Sequence, residues 1–208
     1  KPGRGILAYD PGNESWQDLS PEDLGRVTCM DYFDGMLWVG TRKNGLWRGD
    51  ASGKNWKQFT EADGLPDMTI SAVAADKEGA YVGAGSGSGG LVRVTLDASI
   101  EIMEGDGAPT GAPVDIVTHD GSLFVSSRSL IQEMDRKSGQ WKSLGRDSVC
   151  RVFGTKSGVW GSFYSHELFR ISELNVALQE LADRRSKSKG RKLPNFIPSL
   201  RSLDFEES

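Results

Sequence analysis

The hydrophobic and polar positions of the chain alternate in short segments, and the clearest example lies between Asp34 and Thr60. Three apolar runs occur there, at 36–40, 45–48 and 56–59, and each is bounded by Gly, Asn, Asp or Ser. Short runs between such residues are typical of strands joined by tight turns. This stretch therefore predicts three adjacent antiparallel strands.

An Asp followed six positions later by a Trp marks the end of the repeated unit. The pairs are Asp10 with Trp16, Asp50 with Trp56, and Asp135 with Trp141. The carboxylate can accept hydrogen bonds from the backbone of the turn that it starts, and the indole begins the next strand with a large apolar face. We therefore expect these tryptophans to lie in the core, together with Trp38, Trp47 and Trp160.

A Gly before an apolar strand gives the repeat length. It occurs at Gly35, Gly79, Gly121 and Gly158. A period of about 40 residues with four strands per unit is typical of a β-propeller, because each small sheet buries its faces only against its neighbours. The predicted fold is all-β: a partial β-propeller of about four blades, each with four antiparallel strands.

The blades can be assigned along the chain. We predict a half blade at 5–24, full blades at 25–65, 66–112 and 113–147, and a three-strand blade at 148–172. In the second full blade, Ile100 to Ile102 stand where the Trp is expected. Because the first and last blades are incomplete, we expect further blades before Lys1 and a tendency to self-associate through open blade edges.

The pattern changes after Ser172. Apolar residues at helical spacing predict an amphipathic helix at 173–185, with Ser172 as its N-cap. A basic tail at 186–208, with two prolines, is expected to be disordered.

The motif Asp63-Gly64-Leu65-Pro66, followed by Ala72, Asp76 and Gly79, resembles the two-component regulator propeller repeats of bacterial hybrid signalling kinases. The preceding blade carries further matching residues: Asp34, Gly35, Leu37, Trp38, Gly40, Thr41, Gly45, Leu46 and Asp50. The resemblance covers about four-fifths of the chain and is clearest over 25–95. It implies a periplasmic or extracellular propeller for ligand recognition and signal input, with no shared catalytic residues; without the resemblance, a cytoplasmic protein is expected.

Composition narrows the class further. The net charge of −4 comes from an acidic body and a basic tail, which does not favour nucleic-acid binding. Two cysteines, Cys29 and Cys150, are too few for a disulfide framework and are expected to be buried thiols. No apolar run is long enough to predict a transmembrane segment.

The sequence predicts no cofactor, metal or catalytic site. Gly85, Gly87 and Gly90 match a dinucleotide-binding pattern, but a strand follows where that site needs a helix. His119 and His166 have no neighbours at metal-ligand spacing and are expected in turns.

We expect binding residues in the central channel and on its rim, which the first strands line. The candidates are Arg26, Thr28, Asp67, Thr69, Asp115, Ser148 and Arg151. The leading hypothesis is a non-enzymatic sensory or ligand-binding module of a larger signalling or scaffold protein, whose ligand is a small molecule, a glycan or a protein. The alternatives are a propeller enzyme, either a glycosidase or a streptogramin-type lyase, and a pure protein-interaction scaffold. An enzyme would need groups such as Asp67, Asp115 and His119 to converge.

Overall fold

The structure, a computed structural model, describes residues 5–86, 89–127, 130–145, 149–163 and 168–173. These residues form five antiparallel sheets, numbered I to V in chain order. Sheet I contains β1 (Leu7–Asp10) and β2 (Ser15–Asp18). Sheet II contains β3 (Val27–Phe33), β4 (Met36–Thr41), β5 (Leu46–Asp50) and β6 (Lys57–Phe59). Sheet III contains β7 (Ile70–Asp76), β8 (Gly79–Gly85), β9 (Gly89–Thr95) and β10 (Ile100–Ile102). Sheet IV contains β11 (Asp115–His119), β12 (Ser122–Ser127), β13 (Leu130–Asp135) and β14 (Trp141–Gly145). Sheet V contains β15 (Val149–Thr155), β16 (Gly158–Phe163) and β17 (Leu168–Arg170).

Two-residue turns set the register of the first two strands in the sheets. Asp34 and Gly35, between β3 and β4, have φ angles of 44° and 83°, and Asp120 and Gly121, between β11 and β12, have 45° and 81°. Two successive positive φ angles are those of the type I′ turn, whose twist matches that of the flanking strands. Asp-Gly is one of the dipeptides that adopt this turn most readily, so the local sequence dictates the hairpins.

The first strands of successive sheets lie side by side. β3 packs on β7, β7 on β11, and β11 on β15. Side chains join these inner strands: Thr28 Oγ1 donates to the Ile70 carbonyl at 2.6 Å, and the Ala75 amide donates to Asp31 Oδ2 at 2.7 Å. These two bonds therefore tie the inner strand of sheet III to that of sheet II.

The core consists of apolar layers between sheets. Sheets I and II share a cluster that includes Leu19, Leu37 and Trp47. Sheets II and III are joined around Trp38 and Phe59, and sheets III and IV around Tyr81, Leu91, Leu123 and Val125. Face-to-face packing of small four-stranded sheets in chain order confirms the predicted all-β, partial β-propeller class.

The repeated tryptophans occupy equivalent places, with one consequence that the sequence did not predict. Trp56 packs back onto sheet I, where its indole Nε1 donates to the Leu19 carbonyl at 3.0 Å. Trp141 packs back onto sheet III beside Gly107. Trp16 would pack in the same way on a sheet before sheet I, and it is 66% exposed. The expectation of a core position is therefore wrong for Trp16, because its contact with the Tyr9 ring, at 4.9 Å between centroids, leaves most of the indole exposed. In sheet III, Ile100 takes the Trp position and packs against the cluster between sheets II and III.

The inner strand of sheet II has an uncovered face for the same reason. Met30 pairs with β4 at the register position that Val73, Ile116 and Val152 hold in their sheets. Those three residues are 9%, 5% and 3% exposed, whereas Met30 is 50% exposed. Sheet I has two strands in the described chain, and neither lies beside β3 as β3 lies beside β7.

A short 3-10 turn at Ile171–Glu173 ends the described chain. The predicted helix therefore lies outside the described residues except for Glu173, and the predicted basic tail lies outside them entirely. Ser148, His166 and Gly87 also lie outside the described residues.

Candidate functional site

Two of the predicted binding residues meet near the N-terminal ends of the inner strands. Asp115 begins β11 and Arg151 lies on β15, and Arg151 Nη1 is 3.9 Å from Asp115 Oδ2. Asp115 is held by the Ile116 amide at 3.1 Å and the Val152 amide at 3.2 Å. Burial raises the pKa of Asp115 above its ordinary value, although these amides and Arg151 oppose the shift. The guanidinium of Arg151 is free to meet a ligand, since its side chain is 66% exposed.

Cys29 lies near the same end of the inner strands as Asp115 and Arg151. Cys29, Asp115 and Arg151 hold the same register position in their inner strands, opposite Gly40, Ser126 and Ser162 of the second strands. The charges of Asp115 and Arg151 both act on the thiol. Burial raises the pKa of Cys29 to about 11. The thiol is therefore protonated at neutral pH. Cys29 is half-buried, however, so the prediction of a buried cysteine is met only in part.

The other predicted residues have local roles. Thr28 bonds to the Ile70 carbonyl, and Asp67 Oδ1 accepts a hydrogen bond from the Thr69 amide at 2.6 Å. The Arg26 carbonyl accepts from the Arg42 amide at 2.9 Å. Within the described ranges, no hydrogen bond or ion pair links Arg26, Asp67 or Thr69 to the Asp115–Arg151 pair.

The inner strands line an open depression of about 240 Å³. Its lining comes from β3, β7, β11 and β15 and is mostly apolar, and Asp31 is the charged residue in it. The Asp31 carboxylate already binds the Ala75 amide. This depression is small for a ligand pocket and lies along the channel expected for the fold.

The groups that an enzyme would need are not brought together by the fold. Asp115 and His119 begin and end β11, so they lie at opposite ends of that strand. His119 instead has Asp120 next to it, with 3.2 Å between Nε2 and Oδ2. Among the described residues, no group of three or more His, Cys, Asp or Glu side chains is arranged to hold a metal ion.

A larger cleft, which the sequence did not predict, lies between sheets IV and V. Its volume is about 760 Å³, within the usual range of ligand pockets. Its lining combines an aromatic ring with charges of both signs: Phe124, His119, Asp120, Glu133, Lys142, Lys156 and Arg170. The available signal was Glu133, which stands on the third strand of its sheet where sheets II and III have Arg48 and Arg93.

Comparison with solved structures supports the same class of fold. The chain is similar to β-propeller-like domains, and matches of this kind below 25% identity establish the fold alone. No family model matches the sequence, and no curated protein matches it.

Two natural proteins and one designed protein illustrate the similarity. A structure of a nidogen–laminin complex matches with a TM-score of 0.62 and 12% identity, covering 81% of this chain and 68% of that chain. The extracellular domain of the hybrid two-component system BT4673 from B. thetaiotaomicron matches with a TM-score of 0.62 and 18% identity, covering 80% of this chain. The match spans 25% of that domain, so this chain corresponds to a quarter of its length. The designed protein Ika4 matches with a TM-score of 0.56 and 13% identity, covering 74% of this chain and 96% of that one.

No helix among the described residues is long and apolar enough to cross a membrane.

Proposed function

We propose that this chain is a non-enzymatic binding module of a β-propeller sensor or scaffold protein. The observation that carries the proposal is the Asp115–Arg151 pair at the end of the inner strands, where a rigid backbone presents a largely exposed guanidinium. Proteins commonly recognise ligands through residues that a rigid scaffold holds in position. The similarity to an extracellular sensor domain is compatible with this role and with a periplasmic or extracellular location.

Arg151 gives the site a preference for anionic groups. A guanidinium offers several donors in a fixed plane and binds carboxylate or phosphate oxygens with two parallel hydrogen bonds. Asp115 positions Arg151 and offers an acceptor for a hydroxyl or amide of the ligand. The ligand that fits is therefore a small molecule, a glycan or a protein segment that carries an acidic group beside a hydrogen-bond donor.

A thermal-shift screen with uronic-acid oligosaccharides, dicarboxylates and acidic peptides tests the proposal. We expect at least one compound to raise the melting temperature of the chain, and Arg151→Ala to remove that rise without changing the melting temperature of the free protein. Arg42→Ala, which removes another exposed arginine, is the matched control.

Three outcomes decide between the functions. A rise that persists in Arg151→Ala would exclude the Asp115–Arg151 site. Consumption of an oligosaccharide or a lactone would identify an enzyme instead. Binding of a partner protein with no effect of any small molecule would identify a pure interaction scaffold.

A further inference from the structure

The cleft between sheets IV and V has filled counterparts between the earlier sheets. Between sheets II and III, the Arg48 guanidinium lies 5.3 Å from the centre of the Trp38 ring and 5.7 Å from that of Phe59. Its Nη1 donates to the Leu96 carbonyl of sheet III at 2.8 Å. An arginine side chain therefore fills this first cleft and joins the two sheets.

Arginine also fills the cleft between sheets III and IV. The Arg136 guanidinium lies 5.4 Å from the centre of the Tyr81 ring, and its Nε donates to the Tyr81 hydroxyl at 3.1 Å. Its Nη2 forms an ion pair with Asp76 and lies 3.5 Å from Glu78. A cation over an aromatic face, beside a carboxylate, is a favourable arrangement where water is partly excluded.

The same positions in sheet IV carry an aromatic ring but no arginine. Phe124 pairs with β11 as Trp38 pairs with β3 and Tyr81 with β7. Across from it, Glu133 replaces Arg48 and Arg93. Among the described residues no guanidinium or ammonium lies over the Phe124 ring, and the cleft there remains open.

The charges around Phe124 can hold both ends of a dipolar ligand. Glu133 Oε1 accepts a hydrogen bond from Ser122 Oγ at 2.8 Å, while within the described chain Oε2 accepts none. Lys156 lines the cleft and forms no ion pair with the described residues. Lys142 also lines it but stands directly opposite Glu133 in the register of β13 and β14. Arg170 is engaged elsewhere, since its guanidinium lies over the Trp160 ring at 5.2 Å.

We infer that the cleft between sheets IV and V binds a small zwitterion with a guanidinium or primary ammonium group, such as a basic amino acid. The cation lies against Phe124 and bonds to Glu133, and the carboxylate faces Lys156 on sheet V. This site is distinct from the Asp115–Arg151 pair, so each can fail without the other.

Isothermal titration and NMR with L-arginine test the inference on the whole 208-residue chain. We expect saturable binding, with shifts of the Phe124 and Ser122 amide signals. Glu133→Gln should weaken binding about ten- to a hundredfold, the factor for one charge-assisted hydrogen bond. The glutamine oxygen can still accept from Ser122, so the fold is expected to stay intact. Glu101→Gln, an exposed glutamate on β10, is the matched control and should bind as the parent chain does.

Two truncated probes separate the ends of the ligand. Agmatine lacks the carboxylate and should bind more weakly than arginine, and Lys156→Gln should reduce arginine binding but leave agmatine binding unchanged. The inference is overturned if arginine does not bind at millimolar concentration, if Glu133→Gln binds it as well as the parent chain, or if acetate alone produces the same shifts.

Discussion

Single carboxylates hold the turns that connect the third and fourth strands. Asp50 Oδ1 accepts hydrogen bonds from the Ser52 hydroxyl at 2.6 Å, the Ser52 amide at 2.9 Å and the Lys54 amide at 3.0 Å. The Ser52 hydroxyl makes the largest contribution to lowering the pKa of Asp50 to about 2. Asp135 binds the Ser138 amide and hydroxyl in the same way, and the Ser138 amide contributes most to lowering its pKa.

We predict that Asp50 stabilises the fold only when it is ionised. Because its folded pKa is about 2 and that of an unfolded Asp is about 3.9, the contribution is complete above about pH 4 and is lost as the pH falls towards 2. Asp50→Ala should therefore lower the melting temperature at pH 7, and the difference from the parent should shrink at pH 2. Thermal denaturation across this range measures it, with Glu101→Ala as the control. A difference that is independent of pH would contradict the prediction.

Glycines in turns differ in how much an added side chain would destabilise the fold. Gly45 and Gly35 both have positive φ angles, 67° and 83°. A Cβ atom on Gly45 would overlap the Phe59 carbonyl oxygen, whereas a Cβ on Gly35 would meet nothing within 4 Å. Gly35→Ala should thus cost about 1 kcal/mol from backbone strain alone. Gly45→Ala should cost at least about 1 kcal/mol more because β5 and β6 must separate. Urea denaturation of both variants measures the difference, and equal losses would show that the Gly45 contact is absent.

At the scale of elements, the hairpins could be predicted from the sequence because they depend on neighbouring residues. Asp34-Gly35 and Asp120-Gly121 specify their turns locally. The short strand at Ile100–Ile102 also follows from its apolar pattern. The cleft between sheets IV and V could not be predicted, because it depends on which residue of one sheet faces the next. Asp115 and Arg151 were selected from the same rim argument as Arg26 and Asp67, yet only the first two form a pair with each other.

Contacts between inner strands can be tested through Asp31. Its carboxylate accepts the Ala75 amide of the next sheet at 2.7 Å. Asp31→Ala would leave that amide without its partner, so we predict a loss of about 1–3 kcal/mol in the free energy of unfolding. Asp31→Asn retains an acceptor oxygen and should recover most of the loss. If both variants are as stable as the parent chain, the two inner strands are not joined as described.

At the scale of the whole molecule, the described chain has an uncovered apolar face on sheets I and II. Leu7, Tyr9 and Trp16 lie exposed on sheet I, and Met30 and Tyr32 on the inner strand of sheet II. Exposed apolar patches of this kind commonly mark an interaction surface. The expected self-association of the isolated chain stays a prediction, and this face is where we place it.

The most direct test of the account compares Trp16 with Trp56. Both begin the outer part of a sheet at the same repeat position, but Trp56 packs on the preceding sheet and Trp16 is 66% exposed. Measured by urea denaturation of the monomer, Trp56→Ala should lower the free energy of unfolding by about 2 kcal/mol or more. Trp16→Ala should lower it by about 1 kcal/mol or less, the contribution of its cross-strand ring contact with Tyr9. Equal losses for the two variants would contradict the stacked-sheet arrangement on which the fold and both proposed sites depend.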